Sequence, residues 1–153
     1  MTNGPLLIVY HSQSGSCLEL AAAARAGASR EADTGLLWRR AWDAGMDDLA
    51  ACGGLLLVAA ENSGSLSGGI KDFLDRCFYP AQPLQLNRPY GLVISAGNDG
   101  RGGSQQAQRI MRGIPLKLAA EPLICRGEVT DAMRSDCEEL GQALAAGIAM
   151  GIY

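Results

Sequence analysis

Three short segments rich in serine, glycine and asparagine carry the residues of this sequence that could bind a ligand. The first loop, residues 11–17 (HSQSGSC), lies between a short apolar run and a stretch with helical spacing. Its three serines and its glycine would stand at a helix N-terminus, where backbone N–H groups are free and the helix dipole is positive. That combination suits a phosphate monoester. The alternative interpretation is an ordinary serine-rich helix cap.

The first loop differs from two common nucleotide-binding motifs. It lacks the lysine of G-x-x-x-x-G-K-[ST] and the spacing of G-x-G-x-x-G, which argues against an NTPase and against a Rossmann dinucleotide site. Because it has no lysine or arginine, the loop favours a tightly held cofactor over a phosphoryl-transfer substrate.

Two further loops have a similar composition. The second loop, residues 61–69 (ENSGSLSGG), and the third loop, residues 96–104 (AGNDGRGGS), each follow an apolar run. Glycine lets the backbone approach a flat ligand closely, and Asn62 with the peptide groups could pair with its polar edge. Each loop is also compatible with a plain strand-to-helix turn, the third more so because Asn-Asp-Gly is a common turn sequence. Three such loops together indicate a binding site more strongly than any one alone.

The elements that must position these loops alternate along the chain. Strands are predicted at Leu6–Tyr10, Gly35–Arg39, Gly54–Ala60, Tyr90–Ala96 and Leu118–Arg126. Helices are predicted from Ser14–Ser16 through Ala21–Ala24, at Met46–Ala51, at Gly68–Phe78 with Pro80 closing it, from about Ser104 to Arg112, and from Asp131 to about Met150.

This alternation predicts an α/β fold with a five-stranded parallel sheet and helices on both faces. The expected architecture is a flavodoxin-like three-layer sandwich of strand order 2-1-3-4-5, forming a single domain over residues 1–153. In such sheets ligands bind outside the carboxyl ends of the strands, which is where the three loops are expected.

Composition excludes several classes of function. The 153 residues are 48% apolar and 19% charged, which suffices for one core. Thirteen basic and 16 acidic residues give a net charge of −3, and no basic cluster indicates a nucleic-acid partner. No run approaches the roughly 20 apolar residues of a membrane span, and Met1–Pro5 does not lead into a secretory signal, so a cytoplasmic location is expected.

The cysteines and the single histidine do not form a recognisable reactive site. Five cysteines are an odd number at scattered spacings, and His11 is the sole histidine, so we expect buried free thiols, no disulfide scaffold and no metal site. We expect His11 to pack or cap, and Trp38 and Trp42 to lie at an edge or interface.

Three segments resemble the flavodoxin-like family of NAD(P)H-dependent FMN reductases and related quinone reductases. They are residues 10–16 (YHSQSGS), residues 61–76 (ENSGSLSGGIKDFLDR) and residues 96–100 (AGNDG), and the similarity extends over essentially the whole chain. The second segment is the most specific, since a flavin loop running into Ser-Gly-x-x-Lys-Asp-Phe-x-Asp-Arg is characteristic of this group.

The resemblance implies FMN as cofactor and suggests which residues would bind it. Ser12, Ser14, Gly15 and Ser16 would hold the phosphate, with Gln13 and Cys17 in the same segment; Glu61, Asn62, Ser63 and Gly64 would lie along the isoalloxazine, with Ala96, Gly97, Asn98 and Gly100 on its other side. Ser63 stands where many relatives carry an aromatic residue. Its small side chain should weaken flavin retention and leave one ring face open to a hydride donor or a quinone.

The activity that the resemblance implies is transfer of electrons from NAD(P)H, a transient donor, through FMN to a quinone, flavin or similar small acceptor. No protein catalytic residue is expected, because the flavin supplies the chemistry. A homodimer or homotetramer is expected, and the i, i+4 pairs Lys71/Asp75 and Asp72/Arg76 are either a solvated helix face or a subunit contact. Two alternatives remain open: a flavodoxin-type electron carrier, and a relative that has lost FMN and acts in protein interaction.

Overall fold

The computed structural model describes residues 3–153, so Met1 and Thr2, on which the expectation of no secretory signal partly rests, lie outside the described residues. The strands are β1 (Leu6–Tyr10), β2 (Leu36–Arg40), β3 (Gly54–Asn62), β4 (Ser65–Leu66), β5 (Pro89–Ala96), β6 (Lys117–Leu118) and β7 (Leu123–Arg126). The helices are α1 (Ser16–Ala28), α2 (Met46–Ala51), α3 (Gly68–Ala81), α4 (Arg101–Gly113) and α5 (Asp131–Met150), with a 3₁₀ turn at Gln82–Leu84. Among the described residues no helix is long and apolar enough to cross a membrane.

The sheet confirms the predicted flavodoxin-like topology. Its order is β2-β1-β3-β5-β6, with β7 also paired to β5, and these neighbours run parallel. β4 stands apart from this path because it pairs antiparallel with β3. The predicted order 2-1-3-4-5 therefore describes the parallel sheet, to which the structure adds one short strand.

The predicted fifth strand, Leu118–Arg126, is interrupted in the structure. β6 pairs with the start of β5 and β7 with its end, and the residues between them leave the sheet. Pro122 lies in this interruption and has no N–H to donate to a ladder, which explains why one continuous strand does not form.

The second loop, predicted to contact a flat ligand or else to form a plain strand-to-helix turn, contains a tight hairpin. Glu61 and Asn62 of β3 pair with Leu66 and Ser65 of β4. The two turn residues, Ser63 and Gly64, both have positive φ, at 53° and 77°. A two-residue turn with both φ values positive matches the twist of the flanking strands, so β3 folds back on itself before α3 begins.

Two helix boundaries also differ from prediction. α3 continues through Pro80 to Ala81, because a proline in the last turn removes only one helical hydrogen bond. α4 begins at Arg101 rather than near Ser104, with Gly100 as N-cap at a φ of 71°. The first turn of α4 contains Gly102 and Gly103. Because glycine is a poor helix former, the sequence did not predict a helix at these residues.

The central strands are covered on both faces. β1 is buried throughout, with Leu7 and Val9 in one apolar cluster and its other residues in the second. α2, α3 and α4 contribute to the first cluster, and α1 and α5 to the second. The polar groups of the loops can therefore gather only beyond the strand ends.

Helices α1 and α5 pack in direct backbone contact at two glycines. A Cβ at Gly27 would lie 1.9 Å from the carbonyl oxygen of Glu138, and one at Gly141 would lie 2.0 Å from that of Ala24. No side chain fits at either position without separating the helices. The contact fixes the position of α1, whose N-terminus follows the first loop.

Replacing either glycine by alanine is expected to destabilise the protein. Gly27→Ala and Gly141→Ala should each lower the free energy of unfolding by about 1 to 3 kcal/mol through overpacking, measured by urea denaturation. Gly68→Ala is the matched control, because no atom lies within 4 Å of a Cβ at Gly68 and alanine favours a helix. If all three variants are equally stable, the close contact of α1 with α5 is wrong.

Candidate functional site

Two adjoining pockets lie at the carboxyl ends of β1, β3 and β5. The serine pocket, about 180 Å³, contains the predicted residues Ser12, Gln13, Ser14, Ser16, Cys17 and Asn62. The edge pocket, about 220 Å³, contains Ser14, Ser16, Glu61, Asn62, Ala96 and Gly97. Ser14, Ser16 and Asn62 line both pockets, so the two lie side by side, and together they are called the groove.

The first loop wraps around the N-terminus of α1. Gly15 is the N-cap, with a φ of 104° that side chains rarely tolerate, and its N–H donates to the hydroxyl of Ser12 at 3.1 Å. The carbonyl of Gly15 accepts from the N–H of Glu19 and closes the first turn. The first N–H groups of α1 have no acceptor within the helix, so they are available to an anion in the serine pocket.

Five of the predicted residues lie outside both pockets, namely Gly15, Ser63, Gly64, Asn98 and Gly100. Gly15 shapes the first loop, Ser63 and Gly64 form the exposed hairpin turn, and Asn98 is exposed beyond β5. Gly100 is buried against β7, since a Cβ there would meet the side chain of Ile124 at 2.6 Å. The structure gives each of these residues a role in a turn, in packing or at the surface that requires no ligand.

Glu61 holds the hairpin against α4. Its Oε2 accepts from the backbone N–H of Gly103 at 2.8 Å, and the side-chain oxygen of Gln106 accepts from the N–H of Leu66 at 2.8 Å. A carboxylate at the start of α4 also interacts favourably with the helix dipole. Glu61 therefore lines the edge pocket with its carboxylate already engaged by the protein.

The groove also contains residues that the sequence-based reasoning did not select. These are His11, Ala60, Ser67, Ser95 and Gly127. Ser95 could have been found, because it interrupts the otherwise apolar β5 just before the predicted ligand-binding edge. Ser67 belongs to the second loop but was not among the predicted binding residues, and no local signal marks its side chain as part of a pocket.

The serine pocket has the chemistry of an anion site although it lacks a fixed positive charge. None of the residues that line it is lysine or arginine. In the described chain the buried Nδ1 of His11 and the buried Oγ of Ser67 have no hydrogen-bond partner, and both residues line this pocket. Serine hydroxyls, free helix N–H groups and two unpaired polar atoms fit a phosphate-bearing ligand.

All five cysteines are buried and free, as expected from their spacing. Burial raises the pKa of Cys17 to about 12 and that of Cys77 to about 11. Cys17 thus faces the serine pocket as a neutral thiol rather than as a nucleophile. Within residues 3–153 no group of three or more potential ligands is placed to hold a metal ion.

The charged pairs on α3 serve the fold as well as the surface. Lys71 and Asp75 are joined at 2.6 Å, and Asp72 and Arg76 at 2.8 Å. Arg76 also donates to the carbonyl oxygens of Ala41 and Ala44, at 2.8 and 2.7 Å. Arg76 therefore ties α3 to the segment that precedes α2.

A sequence model of the NADPH-dependent FMN reductase family matches residues 40–118, just over half of the 153-residue chain. The chain belongs to this family. The matched region includes the second and third loops and α2 to α4, whereas the first loop lies before it. Membership of the FMN reductase family confirms the resemblance that the sequence motifs indicated.

Solved structures of flavodoxins and flavodiiron proteins show the same fold. A flavodoxin from the domain Archaea has a TM-score of 0.84 at 19% identity, over 94% of this chain and 98% of that chain. A flavodoxin, WrbA-like protein from Agrobacterium tumefaciens has a TM-score of 0.79 at 15% identity, over 96% and 98%. The flavodiiron protein from Giardia intestinalis has a TM-score of 0.79 at 14% identity, over 96% of this chain but 36% of that chain. No curated protein matches the chain in sequence.

Loss of the Glu61 carboxylate should weaken the junction between the hairpin and α4. Glu61→Ala is expected to lower the free energy of unfolding by about 1 kcal/mol, because the helix loses a capping acceptor and a favourable charge. Glu61→Gln should lose less, since its amide oxygen can still accept from Gly103. Glu139→Ala, at an exposed position on α5, is the control, and equal urea midpoints for Glu61→Ala and Glu139→Ala would contradict the capping role.

The raised pKa of Cys17 predicts the pH dependence of its alkylation. At pH 8 the thiol is protonated, so iodoacetamide should modify it slowly, and its rate should rise about tenfold per pH unit without levelling off near pH 9 as an ordinary thiol does. Mass-spectrometric peptide mapping measures this site by site, with the guanidinium-unfolded protein as control. Rapid modification of Cys17 at pH 8 in the folded protein would show that the thiol is not shielded.

Proposed function

We propose that residues 1–153 form a single FMN-binding domain that passes electrons from NAD(P)H to a small acceptor. The observation that carries the proposal is the serine pocket, which lies at the N-terminus of α1 and at the carboxyl edge of the sheet in a member of the FMN reductase family. Hydroxyls and free N–H groups at that position suit the phosphate of FMN. The edge pocket, which shares lining residues with it, would take the isoalloxazine.

Each part of the groove has a distinct role in this proposal. Ser12, Ser14 and Ser16, with the first N–H groups of α1, bind the phosphate. Asn62 and the backbone of Ala96 and Gly97 contact the edge of the ring system. Bound FMN supplies the hydride-accepting and electron-transferring chemistry, and the protein residues bind it, orient it and leave it accessible to its reaction partners.

The edge pocket favours a reductase over a carrier. None of the residues that line it is aromatic, and Ser63 at the exposed hairpin turn offers no ring to cover the flavin. A nicotinamide and then a quinone, free flavin or similar acceptor could stack in turn against the uncovered face. An aromatic side chain on that face would instead compete with both of them.

We also propose that the protein forms a homodimer or homotetramer. The end of α3 and the 3₁₀ turn expose large apolar side chains, with Tyr79 at 76% and Leu84 at 53% of their full exposure. Such side chains are typical of surfaces that associate. Light scattering after size exclusion would measure the number of subunits.

The phosphate-binding role of the first loop can be tested with a charge. Ser14→Asp places a carboxylate beside the proposed phosphate and should weaken FMN binding by about 100-fold or more through repulsion in a partly desolvated pocket. Ser135→Asp makes the same charge change at an exposed position on α5 and should leave binding unchanged. Quenching of flavin fluorescence on titration of the apoprotein gives both affinities.

The same preparation distinguishes the candidate functions. Wild-type protein should bind FMN, and NADPH or NADH should then bleach the flavin absorbance and sustain turnover with a quinone. If FMN binds and neither nicotinamide reduces it, an electron carrier is supported instead. If FMN changes neither its own fluorescence nor the melting temperature of the protein, the flavoprotein proposal is wrong.

A further inference from the structure

Two buried polar atoms of the described chain have no hydrogen-bond partner, and the residues that carry them line the same cavity. They are the Nδ1 of His11, which is the first residue of the first loop, and the Oγ of Ser67. Leaving a buried donor or acceptor unpaired costs about 1 to 3 kcal/mol. A polar ligand in the pocket would supply the missing partners.

Ser67 occupies a helix cap without using its side chain as a cap. It is the N-cap of α3 and only 1% exposed, and its carbonyl accepts from the N–H of Lys71 at 3.0 Å. A serine at this position ordinarily accepts a backbone N–H of the first turn with its hydroxyl. Here no such bond forms, so the hydroxyl and the first N–H groups of α3 are all left unpaired within the helix.

His11 is held in place on two sides. A Cβ at Gly69, in the first turn of α3, would lie 2.3 Å from the imidazole Cδ2, so the ring rests directly on the backbone there. The indole of Trp42 meets the ring edge-on with centroids 5.4 Å apart. These two contacts hold the imidazole in place beside the serine pocket.

The serine pocket is lined by residues at the starts of two helices. Ser12, Ser14 and Ser16 belong to the loop and the start of α1, whereas Ser67 and Gly69 belong to the start of α3. A phosphate presents several acceptor oxygens and carries up to two negative charges. With no lysine or arginine in the pocket, it must be bound by neutral donors and by the two helix N-termini.

We propose that Ser67, at the start of α3, and His11, the first residue of the first loop, bind the phosphate of FMN together with the serines of that loop. The hydroxyl of Ser67 donates one hydrogen bond, and His11 donates a second in the tautomer that carries the proton on Nδ1. The assignment rests on the proposed function, because it takes FMN as the ligand. In this proposal Ser67 binds the ligand instead of capping α3 with its side chain, and His11 binds the ligand instead of only packing.

The test compares FMN with riboflavin, which has the same ring and ribityl chain but no phosphate. Ser67→Ala and His11→Leu should each weaken FMN binding roughly tenfold, the usual effect of losing a hydrogen bond to a charged group, and leave riboflavin binding unchanged. His11→Asn, which keeps a polar atom near the Nδ1 position, should retain more FMN affinity than His11→Leu. Fluorescence titration of each apoprotein gives the dissociation constants.

The stability of the apoprotein provides a second readout. Ser67→Ala removes an unpaired buried hydroxyl and should raise the melting temperature of the apoprotein, whereas the loss of a true capping serine would lower it. Ser104→Ala is the matched control. Ser104 is 5% exposed in α4, lies outside both pockets and accepts from the side chain of Gln108 at 3.1 Å, so its replacement should lower stability without affecting flavin.

Two results would overturn the assignment. One is wild-type FMN affinity in both Ser67→Ala and His11→Leu, while Ser14→Asp abolishes binding. The other is equal loss of FMN and riboflavin affinity, which would place the contact on the ribityl chain or the ring. If the wild-type protein does not bind FMN, the proposed function fails, and ³¹P NMR of inorganic phosphate with the wild-type and Ser67→Ala apoproteins then decides separately whether the serine pocket binds phosphate.

Discussion

The parallel pairing of β1 with β3 is the interaction on which the site depends. Tyr10, the last residue of β1, lies opposite Val58, but β3 continues to Asn62, and β5 accompanies it as far as Ala96 opposite Glu61. β1 therefore ends before its neighbour β3 and before β5 on the far side of β3, which leaves a notch in the edge of the sheet. The first loop fills one side of that notch, and the polar residues near the ends of β3 and β5 form the other.

The helices that begin at this edge differ in how their N-termini are satisfied. The N-terminus of α4 is capped by the carboxylate of Glu61, which accepts from the N–H of Gly103 and also holds the β3–β4 hairpin in place. α1 and α3 begin without a side-chain cap, and both border the serine pocket. An anion is consequently favoured between α1 and α3 and opposed near α4, where a negative charge is already present. This distribution orients a ligand with one anionic end.

The site is held rigidly by packing that lies away from it. Gly27 and Gly141 bring α1 and α5 into backbone contact, and Arg76 ties α3 to the segment before α2. The two helix N-termini that face the serine pocket are thus fixed by separate contacts on opposite faces of the sheet. Rigid placement of donors lowers the entropy lost when a ligand is bound, and it also explains how two unpaired buried polar atoms can persist.

The sequence by itself determined the alternation of elements, the strand order and the position of the first loop. The bounds of α2 and α5 agree with prediction because apolar spacing and cap residues are local signals. Only the tertiary structure decided that Glu61 caps α4, that the second loop is a hairpin, and that His11 and Ser67 remain unpaired. Whether a polar atom finds a partner depends on residues distant in the chain that the fold brings together, and no local pattern records that outcome.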